Sequence, residues 1–165
     1  ALCIVPDRCQ ITYDRRLVPG ESATSCLLQI QSIIDELSNQ DPQFRAKVAV
    51  AAVPRTSYTG KTATLPNFKE PWKIAPSHPF VQAAATGLTS VGQPVKFGYW
   101  DFGTDLSVVC GRDKKPAIGY SPMQEFYCHR PIDKVRTDYM EKAIAGNAAV
   151  FLEMGRLPQE MFALK

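Results

Sequence analysis

Amphipathic helices interleaved with short strand-like segments predict an α/β fold for this chain. Three observations carry the expectation. Leu27, Ile30, Ile33, Ile34 and Leu37 recur at spacings of three and four, the period of a helix that lays one face on a core. Ile11, Tyr13 and Leu17 lie among polar neighbours with an approximate period of two, as on a half-buried strand. Short runs rich in Val and Ala, bounded by Pro and Gly, punctuate the remainder.

Taken in order, Gln10 to Val18 reads as a strand that Pro19-Gly20 breaks. The helix through Leu27 and Leu37 ends near Asn39-Gln40-Asp41-Pro42, because proline cannot continue it. Lys47 to Val53 reads as a second strand. Pro54 to Pro76 holds several prolines and few periodic signals, and is expected to be irregular or extended, a crossing between domains. A second helix starts with Ser77 as its cap and Pro79 in its first turn, carries Phe80, Val81, Ala84 and Leu88 on one face, and stops around Gly92. Val95 to Trp100, Leu106 to Cys110 and Pro116 to Tyr120 have the length and separation of strands. A last helix, Thr137 to Met154, is amphipathic through Met140, Ile144, Val150 and Phe151, with Gly155 as its stop. The division falls near residue 70, giving parts 1-70 and 71-165, both α/β.

The chain has 165 residues, 45% hydrophobic and 21% charged, the composition of an ordinary globular protein. A net charge of +3, with no Lys or Arg run longer than a pair such as Lys114-Lys115, argues against nucleic acid as a partner. No apolar run approaches the roughly 20 residues that span a bilayer, so no membrane partner is expected. Ala1-Leu2-Cys3-Ile4-Val5 has no basic segment ahead of a long apolar one and does not read as a signal peptide. It opens without Met in a strand-like run, which predicts a piece of a longer protein. Five cysteines without CxxC spacing predict free thiols in a reducing, cytoplasmic compartment.

Only two histidines are present. His129, in Phe126-Tyr127-Cys128-His129-Arg130-Pro131, follows a strand end and precedes a helix, where open α/β sheets place ligands. From its neighbours alone it is either a surface-loop histidine or a ligand. His78, directly before Pro79, reads as a helix cap or a solvated side chain. Gly103-Thr104-Asp105 can bring backbone N–H and side-chain groups against a ligand, or form an ordinary turn. At Asp14-Arg15-Arg16, alternation sends Asp14 and Arg16 to one face. Arginine suits bidentate recognition of a carboxylate, although a strand-end arginine is commonly just solvated.

The order of these elements resembles the M20 metallopeptidases and deacylases, the acetylornithine deacetylase and succinyl-diaminopimelate desuccinylase branch in particular. Val5-Pro6-Asp7, Asp14-Arg15-Arg16 and Pro19-Gly20-Glu21 follow the family's lid-domain pattern of Asn-x-Ile-Pro-Asp, Asp-x-Arg and Pro-Gly-Glu. Gly103-Thr104-Asp105, Pro116-Ala117-Ile118-Gly119 and His129, Pro131 and Asp133 continue it. The resemblance spans essentially the whole chain and implies only the C-terminal half of such an enzyme. Residues 1-70 would be part of a ferredoxin-like lid (dimerisation) domain, and 71-165 the C-terminal segment of an α/β/α zinc-hydrolase catalytic domain.

By the same resemblance His129 would ligate one of two zinc ions, with cobalt or manganese as alternative metals. Arg16 would grip the substrate carboxylate, Thr104 and Asp105 would shape the pocket wall, and backbone near Ser121 would face the carboxylate end. The implied reaction is hydrolysis of an N-acyl amino acid or peptide amide beside a free carboxylate. Three positions depart from the family. Ser121-Pro122-Met123 replaces Gly-Pro-Gly, Cys3 stands where an asparagine amide is usual, and Asp133 replaces Glu with a shorter reach.

The chain contains no His-x-Asp and no Glu-Glu, the elements that supply the other ligands and the general base. No catalytic residue is therefore expected in this chain, and zinc is not expected to bind to it alone. The expected partners are the N-terminal half of the same enzyme, a second copy through the lid domain, and a small peptide or N-acyl amino acid. The alternative is a stand-alone, non-catalytic dimerisation or binding module of the same fold.

Overall fold

A computed structural model describes residues 5–164. Cys3, the position of the missing lid asparagine, lies outside the described residues. The chain divides into two compact units, Ala1–Pro71 and Trp72–Lys165. Helices combine with one small antiparallel sheet, so the coarse α/β class holds.

The first unit is built on helix α1, Ala23–Gln40. Its start is set locally: the Ser22 hydroxyl accepts the Ser25 N–H at 3.1 Å, and the Ser25 hydroxyl accepts the Ser22 N–H at 2.9 Å. This reciprocal pair satisfies donors that a bare helix end would leave unpaired. Asp41 ends the helix, its N–H reaching the Leu37 carbonyl, and Pro42 prevents another turn. Strands β1, Ala52–Thr56, and β2, Thr62–Pro66, then pair antiparallel with Val53 opposite Leu65. Gly60, at φ +83°, takes the left-handed position the reversal needs. Both strands are edges, which is why the sheet tolerates Pro54 and Pro66.

Two expectations in this unit are corrected. Gln10 to Val18 alternates as a strand should, yet it pairs with no strand among the described residues. Lys47 to Val53 becomes strand only from Ala52, and its partner is the segment expected to be a crossing. A strand exists only where a neighbour accepts its hydrogen bonds, and alternation does not supply the neighbour.

In the second unit, α2, Pro79–Ser90, crosses α3, Thr137–Met154. The α2 cap is His78 rather than Ser77: its Nδ1 accepts the Phe80 N–H at 3.2 Å. Pro79 follows at a position whose N–H would have been unpaired in any case. Gly92, at φ +71°, turns the chain away after α2. The two helices meet through small residues. A Cβ on Gly87 would stand 2.7 Å from the Ala149 carbonyl oxygen, a distance no real side chain occupies. Ala84, Val150 and Met154 form the core there, with Phe80, Leu88 and Ile118 packed around them. Tyr120 donates to the Gln93 side chain at 2.5 Å, and Gln93 donates to the Lys142 carbonyl at 2.7 Å, tying the ends of the helix pair.

The three strands expected in this unit are not formed. Val95 to Trp100 and Pro116 to Tyr120 pair with no strand among the described residues. Leu106 to Cys110 falls largely in a π-helical turn, Ser107–Arg112. The Thr104 hydroxyl accepts the Leu106 N–H at 3.3 Å, and the Thr104 carbonyl accepts the Ser107 N–H at 3.2 Å, which starts a coil where a strand was expected. No helix among the described residues is long and apolar enough to cross a membrane.

Candidate functional site

His129 is the sequence-derived candidate around which other groups gather. It follows a short 3-10 turn, Glu125–Tyr127, and takes φ +59°, the left-handed conformation that a side chain rarely adopts. Such strain is common where a side chain must be aimed. The imidazole is exposed and lies 5.8 Å from the Phe102 ring, centroid to centroid. Phe102 in turn stacks on Trp100 at 5.6 Å with the planes 14° apart. Trp100 lies against Gly119, where any side chain would collide with the indole.

These residues border an open cleft of about 410 Å³, lined by Asp101, Phe102, Glu125, Phe126, Cys128, His129 and Arg130. One Glu125 oxygen accepts the Asp101 N–H at 2.6 Å, joining two segments far apart in sequence. The Arg130 guanidinium lies 4.1 Å above the Phe126 ring, a cation–π contact. Cys128, half-buried, directs its thiol to the Met123 sulfur at 3.4 Å. A second cavity, about 380 Å³, includes His78, Lys73 and Glu160, and His78 is already committed to capping α2.

The other sequence-derived candidates lie elsewhere. Thr104 and Asp105 do not line the cleft. Thr104 and the Asp105 carbonyl are used to start the π-helical turn, and the Asp105 side chain is exposed. Ser121 is exposed, and its hydroxyl accepts the Met123 N–H at 3.2 Å. Arg16 belongs to the first unit, exposed and paired with Asp14 at 3.1 Å. Its neighbour Arg15 holds Gln29 at 2.8 Å and Glu21 at 2.5 Å, pinning the segment to α1. Asp101, Phe102, Glu125 and Arg130 were not singled out from sequence. The neighbours of His129 were visible there as Phe126 to Arg130, but nothing local pointed to Asp101 or Phe102.

A zinc site takes about four ligands. Among the described residues no three His, Cys, Asp or Glu side chains converge on a point a metal could occupy.

No protein-family model matches the chain, and no solved structure matches it. Over 149 residues, 90% of this chain, it is 27% identical to a protein of Escherichia coli K12 described as uncharacterized protein YgeY. The protein of the same description in Escherichia coli O157:H7 matches equally. The match covers 36% of those proteins, so the chain spans about a third of the length of the curated relatives it matches.

Proposed function

We propose that the chain is the C-terminal portion of an M20-type di-zinc hydrolase, inactive without the N-terminal metal-binding half. The substrate would be an N-acyl amino acid or peptide, cleaved at the amide beside a free carboxylate. Residues 1-70 would belong to the ferredoxin-like lid and 71-165 to the α/β/α catalytic domain. The observation that supports this best is His129: an exposed imidazole held at a left-handed turn, at the edge of an open cleft with two carboxylates. The ordered family motifs and the partial span of the relatives' length agree with it.

In this reading His129 gives one ligand to a metal whose other ligands lie outside these residues. The resemblance gives Arg16 the role of gripping a carboxylate, which it would take by exchanging Asp14, an exchange that an exposed pair permits at small cost. The resemblance assigns Thr104, Asp105 and Ser121 to the substrate region, although none of the three lines the cleft beside His129. Free Cys9, Cys26, Cys110 and Cys128 suit a cytoplasmic location. The test is zinc content and hydrolysis of a panel of N-acyl amino acids by the complete protein carrying these residues. His129→Ala should lower zinc content and abolish turnover while the protein stays folded. Unchanged zinc in a folded variant would rule the assignment out.

A second reading, a non-catalytic dimerisation module, is favoured by α1, which buries none of its residues and exposes Leu28, Ile33 and Leu37. Native mass separates the two readings. A second chain released only on denaturation supports the split hydrolase. A homodimer of 18.3 kDa chains, free of zinc, supports the module.

A further inference from the structure

The cleft beside His129 is unusually aromatic for a site bordered by two carboxylates. Phe102 presents a half-buried ring that is backed by Trp100, so the ring is fixed from behind. Phe126 is 62% exposed, a large apolar surface left to water. A flat ligand ring laid against that exposed surface would gain offset-stacked or edge contacts and would cover it.

Arg130 supplies a second requirement. Arg15, Arg16, Arg112, Arg136 and Arg156 each hold a carboxylate in an ion pair. Arg130, like Arg8, Arg45 and Arg55, makes no ion pair among the described residues; of these four it is the one that lines the cleft, with its guanidinium over Phe126. A planar fork held over an aromatic ring is pre-oriented for bidentate contact with a carboxylate. Glu125 uses one oxygen on the Asp101 N–H and keeps the other for a donor such as an amide N–H. Two carboxylates in the same cleft disfavour multiply charged anions such as phosphate.

We infer that this cleft recognises an aromatic N-acyl amino acid, with its ring against the Phe102–Phe126 surface and its carboxylate on Arg130, in place of the Arg16 that the resemblance implies. The inference rests on the hydrolase reading for the amide, and it names the substrate class of that site.

Isothermal titration of the complete protein carrying these residues with three probes tests it. N-acetylphenylalanine should bind about tenfold more tightly than N-acetylalanine, which lacks the ring. It should also bind about tenfold more tightly than N-acetylphenylalaninamide, which lacks the charge. Phe102→Ala should remove the first preference and Arg130→Gln the second, with helicity unchanged. Equal affinity for all three probes, no binding of any, or preferences that survive both substitutions would overturn it. The outcomes are separable from those of the hydrolase reading. Turnover by the complete enzyme without ring preference overturns the aromatic site alone. Ring-selective binding by a protein that hydrolyses nothing overturns the hydrolase alone.

Discussion

Helices α1 and α3 are both eighteen residues long and both amphipathic, yet α1 buries none of its residues and α3 buries five. The apolar content does not explain the difference, since α1 carries Leu27, Ile30, Ile33, Ile34 and Leu37. The partner does. Of the buried positions on α3, Ala149 and Val150 meet Gly87 of α2 at backbone contact, Gly146 admits the Tyr120 ring, and Ala143 and Met154 complete the covered face. In the first unit the hairpin is short and none of its residues is buried. A helix periodicity therefore announces a face to be covered, and the covering has to come from elsewhere. All the buried hydrophobic residues among those described lie in the second unit.

The sharpest way to break this comparison is to remove the same kind of contact from each unit. Met154→Ala should cost about 3 kcal/mol, the loss of a buried side chain plus the cavity it leaves. Ile33→Ala, on a face already 53% exposed, should change stability by no more than about 0.5 kcal/mol. Urea unfolding of the two variants reads both. A loss near 2 kcal/mol for Ile33→Ala would mean that α1 is covered in solution, as a dimeric module requires.

Thiol chemistry gives the next contrast. Cys9 is exposed, whereas Cys110 is 2% exposed and burial pushes its thiol above its ordinary pKa of 9.0. With a raised pKa, less thiolate is present at any given pH, and the sulfur must also become accessible before it reacts. Alkylation followed by mass spectrometry at pH 8 should label Cys9 about a hundredfold faster than Cys110. Comparable rates would show that the α2–α3 unit opens readily.

A smaller effect is expected at the α1 cap. Ser22→Ala removes one half of the reciprocal pair with Ser25 and should cost about 1 kcal/mol. Because α1 has so few tertiary contacts, the loss should appear as fraying of its first turn, visible in amide exchange of residues 23–27. Unchanged protection there would mean that packing, and not the cap, holds the helix start.

What could be read from the sequence follows the range of the forces involved. Helix signals are local: capping residues, Pro79 at a first turn, Pro42 after a last one, and apolar spacing. Accordingly α2, α3 and the end of α1 were legible within a residue or two. Strands need partners, so the alternation of Gln10 to Val18 could not reveal that no partner is present. The hairpin was hidden by its own prolines, although Gly60 between two Thr-rich segments was a usable turn signal. His129 was visible as one of two histidines, but its surroundings were not. Asp101 and Glu125 are twenty-four residues apart and meet through a backbone hydrogen bond that no spacing rule foretells. Arg16 was visible as a strand-end arginine and Thr104 and Asp105 as a glycine-led turn, Ser121 entered through resemblance to a family, and the residues bordering the cleft came from geometry.

The smallest effect concerns Glu21, at the joint between the Pro19-Gly20 turn and α1. Its carboxylate accepts the Val18 N–H at 3.0 Å, the main cause that holds its pKa below the ordinary 4.5, and it also accepts from Arg15. A carboxylate with a depressed folded pKa contributes stability that is present above the unfolded value. That contribution is lost as pH falls through the folded value, so the sensitive window lies below about 4.5. An NMR titration of the Glu21 carboxyl carbon should give a midpoint below 4.5, and Arg15→Gln should raise it only partway. The backbone donor, the larger cause, would remain. Full return to the ordinary value in Arg15→Gln would show instead that the ion pair holds the turn against α1. The first unit would then depend on an exposed pair that salt can screen.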